Sequence, residues 1–152
     1  MLEEGNVAPD FTACDQEGQP VSLSGFRNRE VILYFYPKDD TPGCTKQACS
    51  FRDSFSKIKR SGITVLGVSP DSVISHHKFV VKYELPFTLL SDPNHAVSEA
   101  YGVWQEKSFM GRKYMGVVRT TFLIDKRGRI KKIFHKVKPE GHALRTLESF
   151  DS

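Results

Sequence analysis

The chain carries two apolar runs that decide its fold, Val31-Ile-Leu-Tyr-Phe-Tyr36 and Ile63-Thr-Val-Leu-Gly-Val68. β-Branched and aromatic residues fill both runs, which is typical of buried parallel strands. The segment 42–60 between them places three apolar residues at the i, i+4, i+7 spacing of an amphipathic helix of about five turns: Phe51, Phe55 and Ile58. The order of strand, helix and strand predicts a βαβ unit.

The flanking sequence extends this unit on both sides. Further strands are predicted from short apolar runs at 87–90, 120–124 and 130–135, the last two joined as a hairpin by the turn Asp125-Lys-Arg-Gly128. Helices are predicted at 71–83 with Asp71 as the cap, after Asp92-Pro93, and at 139–150 with Ala143, Leu144 and Leu147 facing inward. Segments 10–14 and 21–23 predict a small hairpin near the N-terminus.

These elements together predict an α/β fold in one domain, 1–152. The expected architecture is a central mixed β-sheet flanked by helices, with an antiparallel edge and an N-terminal β-hairpin extension. A chain of 152 residues buries roughly 68–70% of its unfolded surface, so this core needs neither disulfides nor a metal to hold it.

The composition excludes several classes of protein. The longest apolar runs are far shorter than the roughly 20 residues that cross a bilayer, so we expect no membrane association. The start, Met1-Leu-Glu-Glu-Gly-Asn6, lacks the basic and apolar regions of a secretory signal. The three cysteines, Cys14, Cys44 and Cys49, are an odd number, which suits a reducing compartment. We therefore expect a cytoplasmic protein.

The basic balance of the chain raises the question of nucleic acid. Lysine and arginine number 22 against 18 acidic residues, which gives a net charge of +4 and a pI near 9.0. Seven of these cations fall in the segment 126–138, around the predicted hairpin turn. No helix-turn-helix, zinc-finger or RNA-recognition pattern accompanies them, so a solvated hairpin face is favoured and no nucleic-acid partner is expected.

The segment after the first strand carries the chemistry. Thr41-Pro42 has the form of an N-cap followed by proline at the first helical position, which places Cys44 at the third. Unpaired N–H groups and the positive end of the helix dipole favour a thiolate there. The Thr41 hydroxyl lies one turn from Cys44 and can bond its N–H or its thiolate, while Gly43 allows a ligand close to the backbone. This arrangement suits attack on a polar electrophile such as a peroxide oxygen.

Cys49 lies five residues after Cys44. In an intact helix that spacing separates the two Cα atoms by roughly 8–9 Å, whereas a disulfide requires less than about 7 Å. A bond between them therefore requires part of the helix to unwind, which predicts a reduced helical state and an oxidised, locally unfolded state.

Each of these residues also has a plainer interpretation. A buried hydrophobic role is favoured for Cys14 and for an isolated Cys49, but not for Cys44 at a helix start. The five histidines show no zinc-binding spacing, so we expect no metal. Core packing is favoured for an aromatic stretch that could instead line the mouth of the peroxide pocket or the surface for a reductant: Trp104, Phe109, Met110, Tyr114 and Met115.

The string Pro37-Lys-Asp-Asp-Thr41-Pro-Gly-Cys44 matches the Pro-x-x-x-Thr-x-x-Cys motif of peroxiredoxins. With Cys49 five residues later, the chain resembles their Q-type, or bacterioferritin-comigratory, branch. The resemblance continues through Ala8-Pro-Asp-Phe11, Leu85-Pro-Phe-Thr-Leu-Leu-Ser-Asp92 and Arg119-Thr-Thr-Phe-Leu-Ile-Asp125. Gln47 departs from the pattern, because many relatives carry glutamate there, and this puts in doubt any role of that position in tuning the thiolate.

The resemblance implies a thioredoxin-like fold and a thiol peroxidase without metal or organic cofactor. Cys44 matches the peroxidatic cysteine and Cys49 the resolving cysteine of an intramolecular disulfide. Thr41 matches the residue that hydrogen-bonds thiolate and peroxide, Pro37 the one that shields the pocket, and Arg119 the one that stabilises thiolate and transition state. The implied substrates are hydrogen peroxide and alkyl or lipid hydroperoxides, the implied reductant is thioredoxin or a similar dithiol, and the implied state is a monomer.

Two other functions are compatible with this fold. One is a thioredoxin-type disulfide oxidoreductase, which the missing Cys-x-x-Cys motif disfavours. The other is a peroxide-responsive sensor or holdase, in which unwinding of the helix exposes a surface for a partner. The second could coexist with catalysis.

Overall fold

The computed structural model describes residues 2–139 and 142–151, and this part of the chain contains nine strands. They are β1 (Thr12–Cys14), β2 (Pro20–Ser22), β3 (Glu30–Phe35), β4 (Ile63–Ser69), β5 (Thr88–Ser91), β6 (Trp104–Phe109), β7 (Arg112–Val117), β8 (Thr120–Ile124) and β9 (Ile130–Phe134). Seven of them form one sheet in the order β2-β1-β5-β4-β3-β8-β9, and β6 and β7 form a separate two-stranded sheet.

Five α-helices lie in the same described residues: α1 (Pro42–Asp53), α2 (Phe55–Arg60), α3 (Val73–Tyr83), α4 (Ala96–Ala100) and α5 (His142–Asp151). A 3₁₀ turn, Leu23–Phe26, follows β2. Within the described residues, no helix has both the length and the apolar content that a bilayer span requires.

The sheet has a parallel centre and antiparallel edges. β3 pairs in parallel with β4, and β4 with β5, which confirms the predicted βαβ unit. β8 pairs antiparallel with both β3 and β9, and β1 with β2, as the predicted hairpins require. The sheet therefore has antiparallel strands at both edges. The sequence predicts one antiparallel edge and a separate N-terminal hairpin, whereas this hairpin forms the second edge of the same sheet.

Alternation along β3 divides the core into two layers. Leu33 and Phe35 point to one face, which is covered by α4 and the N-terminal segment. Ile32 and Tyr34 point to the other, which is covered by α1, α2, α3 and α5 and includes Cys44. Burial of each apolar side chain of this size stabilises the fold by about 1.5–3 kcal/mol relative to leaving it exposed to water. Cys44 therefore lies in the layer of the core that α1, α2, α3 and α5 cover.

The prediction of one helix over 42–60 is wrong, because the chain breaks at Ser54, where φ is −99° and ψ is 3°. The side chains of aspartate and serine at this point compete with the backbone for hydrogen bonds, which makes both residues weak helix formers.

The prediction of Asp71 as the cap of α3 is also wrong. The N-cap of α3 is Ser72, whose Oγ accepts a hydrogen bond from the N–H of Ser75 at 3.1 Å.

The aromatic stretch after α4 forms the hairpin of β6 and β7, most of which is exposed. Phe109 is 66% exposed and Met110 is 88% exposed, while Trp104 is half-buried and stacks on His95 with ring centroids 4.0 Å apart. Met110 and Gly111 both adopt positive φ, the conformation of a two-residue hairpin turn. The favoured core packing is therefore wrong for Phe109, Met110, Tyr114 and Met115, which are exposed because β6 and β7 form a sheet of their own. It is confirmed for Trp104, which packs against the core.

The basic segment forms the expected solvated hairpin. Asp125 Oδ1 accepts hydrogen bonds from the backbone N–H groups of Arg127 and Arg129, which closes the turn between β8 and β9. Both arginines are exposed.

The helix predicted at 139–150 is α5 (His142–Asp151). Ala143 is buried, as expected. The inward-facing orientation predicted for Leu144 and Leu147 concerns side chains that lie outside the described part of the chain.

Candidate active site

Cys44 lies where the central strand passes into a helix. β3 ends at Phe35, and Thr41 is the extended N-cap of α1, with φ −101° and ψ 155°. The first helical hydrogen bond runs from the N–H of Thr45 to the Thr41 carbonyl at 2.8 Å. Cys44 is therefore the third helical residue, as predicted. It lies among the first backbone N–H groups of α1, which have no acceptor within the helix. It is 1% exposed and has a free thiol.

Arg119 supplies the positive charge at this cysteine. It lies between β7 and β8, and its Nη2 donates to Cys44 Sγ at 3.2 Å. Its Nη1 donates to Gln47 Oε1 at 2.5 Å, one helical turn after Cys44. The backbone also holds it, because the Arg119 carbonyl accepts from the N–H of Val137 at 3.0 Å. The structure thus joins Cys44 to a residue 75 positions away.

Gln47 has a definite place in this arrangement. Its side chain is fully buried, and its Oε1 anchors the guanidinium that contacts Cys44. Among the described residues, Gln47 Nε2 has no hydrogen-bond partner. A neutral amide therefore orients Arg119 without adding a negative charge beside the sulfur.

Gly43 leaves the space that the guanidinium occupies. A Cβ at this position would lie 3.2 Å from Arg119 Nη2 and 3.6 Å from Pro139 Cγ. The sequence analysis assigns Gly43 to the close approach of a ligand. The structure shows that the Arg119 side chain also approaches this glycine closely.

Thr41 is the predicted N-cap residue, but its hydroxyl makes a different contact from the one expected. Oγ1 donates to the carbonyl of Lys38 at 2.8 Å, and it makes no side-chain capping bond to the helix. The expected bond from this hydroxyl to Cys44 is therefore wrong for this conformation. Pro37 is half-buried at the start of the same loop.

A buried polar network anchors that loop from beneath. The Asp39 carboxylate accepts from the hydroxyl groups of Tyr36 and Ser75 at 2.5 and 2.8 Å, and it contacts His76 Nδ1 at 2.6 Å. The N–H of Asp39 donates to Asp71 Oδ2 at 2.8 Å. Carboxylate and imidazole atoms of Asp39, Asp71 and His76 lie within 4.8 Å of one another. Hydrogen bonds among them and their neighbours account for this clustering.

Sequence reasoning missed this network. Asp39 lies inside the quoted active-site string, and His76 follows the predicted helix start, but no local spacing connects positions 37 apart. The available signal in the sequence was the pair Ser75 and His76 in the first turn of α3, the helix that follows β4.

The second cysteine of α1 is half-buried and free. Cys44 and Cys49 share one continuous helix, so the geometry is that of the predicted reduced state. Cys14 is exposed on β1, next to Ser91, so its predicted burial is wrong. Cys14 therefore serves as a solvent-accessible reference thiol in the same chain.

Two neighbouring groups have pKa values set mainly by burial. Burial raises the pKa of Tyr34 well above its usual value, and the charges of Cys44 and Asp39 raise it further. Burial lowers the pKa of His142 to about 4, with smaller contributions from Arg145 and Arg119. Both side chains are neutral at pH 7, so the positive charge beside Cys44 comes from elsewhere.

An open cavity of about 500 Å³ adjoins the start of α1. Its lining combines two prolines and a glycine with three cations: Pro42, Gly43, Lys46, Lys138, Pro139 and Arg145. Gly43 thus borders both this cavity and the Arg119 guanidinium.

Residues 5–133 match the model of the AhpC/TSA family. The chain belongs to this family of peroxiredoxins. Peroxiredoxin Bcp of Escherichia coli strain K12 is 48% identical over 141 residues, which cover 93% of this chain and 90% of the relative. Peroxiredoxin Bcp of Bacillus subtilis strain 168 is 46% identical and covers 97% and 94% of the two chains. A peroxiredoxin Q structure from Xanthomonas campestris superposes with a TM-score of 0.91 at 34% identity, covering 99% and 96%.

The family assignment confirms the predicted thioredoxin-like peroxiredoxin fold and the resemblance to the Q-type branch. It also identifies the chain as a thiol peroxidase, an enzyme that reduces hydroperoxides with electrons from a dithiol. Among the structural neighbours, the Xanthomonas campestris bacterioferritin comigratory protein is described for alkyl peroxide reduction.

Proposed function

We propose that Cys44 is the peroxidatic cysteine of this peroxiredoxin and Cys49 its resolving cysteine. Arg119, Thr41, Pro37 and Gly43 complete the proposed site. The observation that supports the proposal most directly is the 3.2 Å contact between Arg119 Nη2 and Cys44 Sγ at the start of α1.

The first step of the proposed mechanism is attack on the peroxide. The Cys44 thiolate attacks the terminal oxygen, a sulfur–oxygen bond forms, and the O–O bond breaks. The leaving hydroxide or alkoxide takes a proton from solvent, and Cys44 becomes a sulfenic acid. Negative charge spreads over both oxygens as the bond stretches, and the Arg119 guanidinium and the N–H groups at the helix start stabilise it.

Thr41 and Pro37 shape the place where the peroxide binds. The Thr41 hydroxyl donates to Lys38 in the resting enzyme and rotates to bind a peroxide oxygen when substrate enters. Pro37, half-buried next to this loop, excludes water from the thiolate. The Asp39 network keeps the loop in register with α3 during this exchange.

Resolution follows as the second step. Because Cys44 and Cys49 lie five residues apart in one helix, α1 unwinds before their sulfur atoms meet. The Cys49 thiol then condenses with the sulfenic acid, releasing water and forming a disulfide. Thioredoxin or a similar dithiol restores both thiols by exchange. The break at Ser54 separates α1 from α2, so α1 can open without α2.

The remaining parts of the proposal concern the enzyme's setting. We propose a single-domain, cytoplasmic monomer that acts on hydrogen peroxide and on alkyl or lipid hydroperoxides. The open cavity beside Gly43 gives bulky hydroperoxides room that a closed pocket would deny.

Serine substitutions at the cysteines test the assignment. Cys44→Ser should abolish peroxide consumption, because an alcohol at this position is not ionised. Cys14→Ser is the matched control: Cys14 is exposed on β1 and outside the site, so peroxide consumption should equal that of the wild type. Peroxide consumption by Cys44→Ser at the wild-type rate would refute the assignment.

A further inference from the structure

Both ends of α1 are bonded to the last residue of α3, Tyr83. Before the helix, the Asp40 carboxylate accepts a hydrogen bond from the Tyr83 hydroxyl at 2.8 Å and another from Lys82 Nζ at 2.7 Å. In the last turn of the helix, Arg52 Nη1 donates to the Tyr83 carbonyl at 2.9 Å. These three contacts, here called the α1 clamp, hold the chain on both sides of the two cysteines of α1.

The clamp also fixes the direction in which the chain enters α1. Asp40 has a φ of +55°, in the left-handed region that residues other than glycine seldom adopt. Such a conformation persists where the surrounding structure holds it, and the side-chain contacts here come from Lys82 and Tyr83. The next residue, Thr41, is the N-cap of the helix.

Tyr83 is itself fixed by contacts that do not involve α1. Its half-buried ring packs edge-on against the ring of Phe79, with the centroids 5.4 Å apart. The residue after it, Glu84, is the left-handed C-cap of α3, and its N–H donates to the Val80 carbonyl. Tyr83 is therefore a firm attachment point for the helix that has to unwind.

The clamp opposes the unwinding that a disulfide within α1 requires. If its contacts break when α1 unwinds, their stabilising free energy is lost. If they persist, the ends of the unwound segment keep the spacing of a helix, and the segment has less conformational freedom than a segment with free ends. Both cases favour the helix over the unwound state.

We propose that Tyr83 is a positioning residue for the resolution step, which holds α1 in its helical state and slows formation of the Cys44–Cys49 disulfide. The Cys44 sulfenic acid has two fates. It condenses with the Cys49 thiol and releases water, or a second hydroperoxide oxidises it to the sulfinic acid and is itself reduced to water or an alcohol. The clamp therefore sets the peroxide concentration at which the enzyme is inactivated. The inference rests on the proposed roles of Cys44 and Cys49.

Tyr83→Phe tests the inference, because it removes the hydroxyl and keeps the ring that packs against Phe79. Reduced protein is mixed with one equivalent of hydrogen peroxide and quenched in acid, and the sulfenic acid and the disulfide are followed by mass spectrometry. The sulfenic acid should form at the wild-type rate. The disulfide should form about fivefold faster, which corresponds to a hydrogen bond of about 1 kcal/mol. In excess peroxide, the yield of sulfinic acid per turnover should fall by a similar factor.

Arg52 tests the other end of the clamp. Arg52→Met should accelerate disulfide formation by a similar factor, and Arg52→Lys, which keeps a cationic donor for the Tyr83 carbonyl, should restore the wild-type rate. Tyr101→Phe is the matched control. It also removes one tyrosine hydroxyl hydrogen bond, the one to the Pro9 carbonyl at 2.6 Å, but Tyr101 lies in the other layer of the core. Its disulfide should form at the wild-type rate.

An unchanged rate of disulfide formation in Tyr83→Phe or in Arg52→Met would overturn the inference. An equal acceleration in Tyr101→Phe would also overturn it, because a general loss of stability would then explain the opening of α1. If the wild-type protein forms no Cys44 sulfenic acid, or no disulfide with Cys49, the proposed function fails instead, so the two failures are distinguishable.

Discussion

Replacing Arg119 by methionine removes the group that connects Cys44 to the rest of the site. The wild-type guanidinium donates to Cys44 Sγ at 3.2 Å and to Gln47 Oε1 at 2.5 Å. Methionine keeps much of the side-chain volume but neither donor nor charge. The fold should survive, because Arg119 is held through its backbone carbonyl by Val137 as well as through its side chain.

The size of the effect follows from the geometry. Two unit charges 3.2 Å apart attract by roughly 5 kcal/mol at an effective dielectric constant of about 20. Part of this attraction already stabilises the thiolate before reaction, so only the part that grows in the transition state affects the rate. Loss of one preorganised donor at a developing charge costs about 10²–10³ in rate. We expect the rate constant for peroxide reduction by Arg119→Met to fall by a factor in that range.

The assay is rapid mixing of reduced protein with peroxide, followed by acid quench and mass spectrometry of the Cys44 peptide. Arg112→Met is the control, because Arg112 is an exposed arginine on β7. It should react at the wild-type rate. A rate constant for Arg119→Met within tenfold of the wild type would refute the role assigned to the guanidinium.

Three further predictions concern resolution, packing and pH. Cys49→Ser should complete one turnover and stall as the Cys44 sulfenic acid, and thioredoxin-dependent cycling at the wild-type rate would exclude Cys49 as the resolving residue. In Gly43→Ala, the new Cβ lies 3.2 Å from Arg119 Nη2, so peroxide reduction should slow by about tenfold, less than the ~10² of a full 1 Å misplacement; a wild-type rate would contradict this. Burial lowers the pKa of His142 from 6.5 to about 4, so the unfolded chain binds more protons between these values. Stability is then lost as pH falls from 6.5 toward 4, by up to ~3 kcal/mol, and urea unfolding of His142→Asn should show a correspondingly smaller loss.

The sequence predicts what short-range patterns can specify. The apolar runs around Val31 and Ile63 locate the central parallel strands, and Thr41-Pro42 locates the helix start that places Cys44 at its third residue. These features depend on residues a few positions apart, so they can be read without tertiary contacts. The resemblance to peroxiredoxins adds Arg119, which no local pattern connects to Cys44.

The errors arise where tertiary contacts decide. The residues around Phe109 and Met110 are apolar enough for a core, yet β6 and β7 form a separate two-stranded sheet that leaves the hairpin exposed. Asp71 resembles a cap, but it instead binds the N–H of Asp39 on a distant loop. The Thr41 hydroxyl is expected to bond to Cys44, but the loop conformation places the Lys38 carbonyl at 2.8 Å, and the hydroxyl donates to it instead.

The proposed mechanism requires Cys44 to react with peroxide and then to form a disulfide with Cys49. The most direct measurement mixes fully reduced protein with one equivalent of hydrogen peroxide under stopped flow, followed by thiol counting and peptide mapping. We expect rapid loss of two of the three thiols, a Cys44–Cys49 disulfide, and a free Cys14. The proposed mechanism is contradicted if no thiol reacts faster than free cysteine does, or if the exposed Cys14 is the thiol that pairs with Cys44.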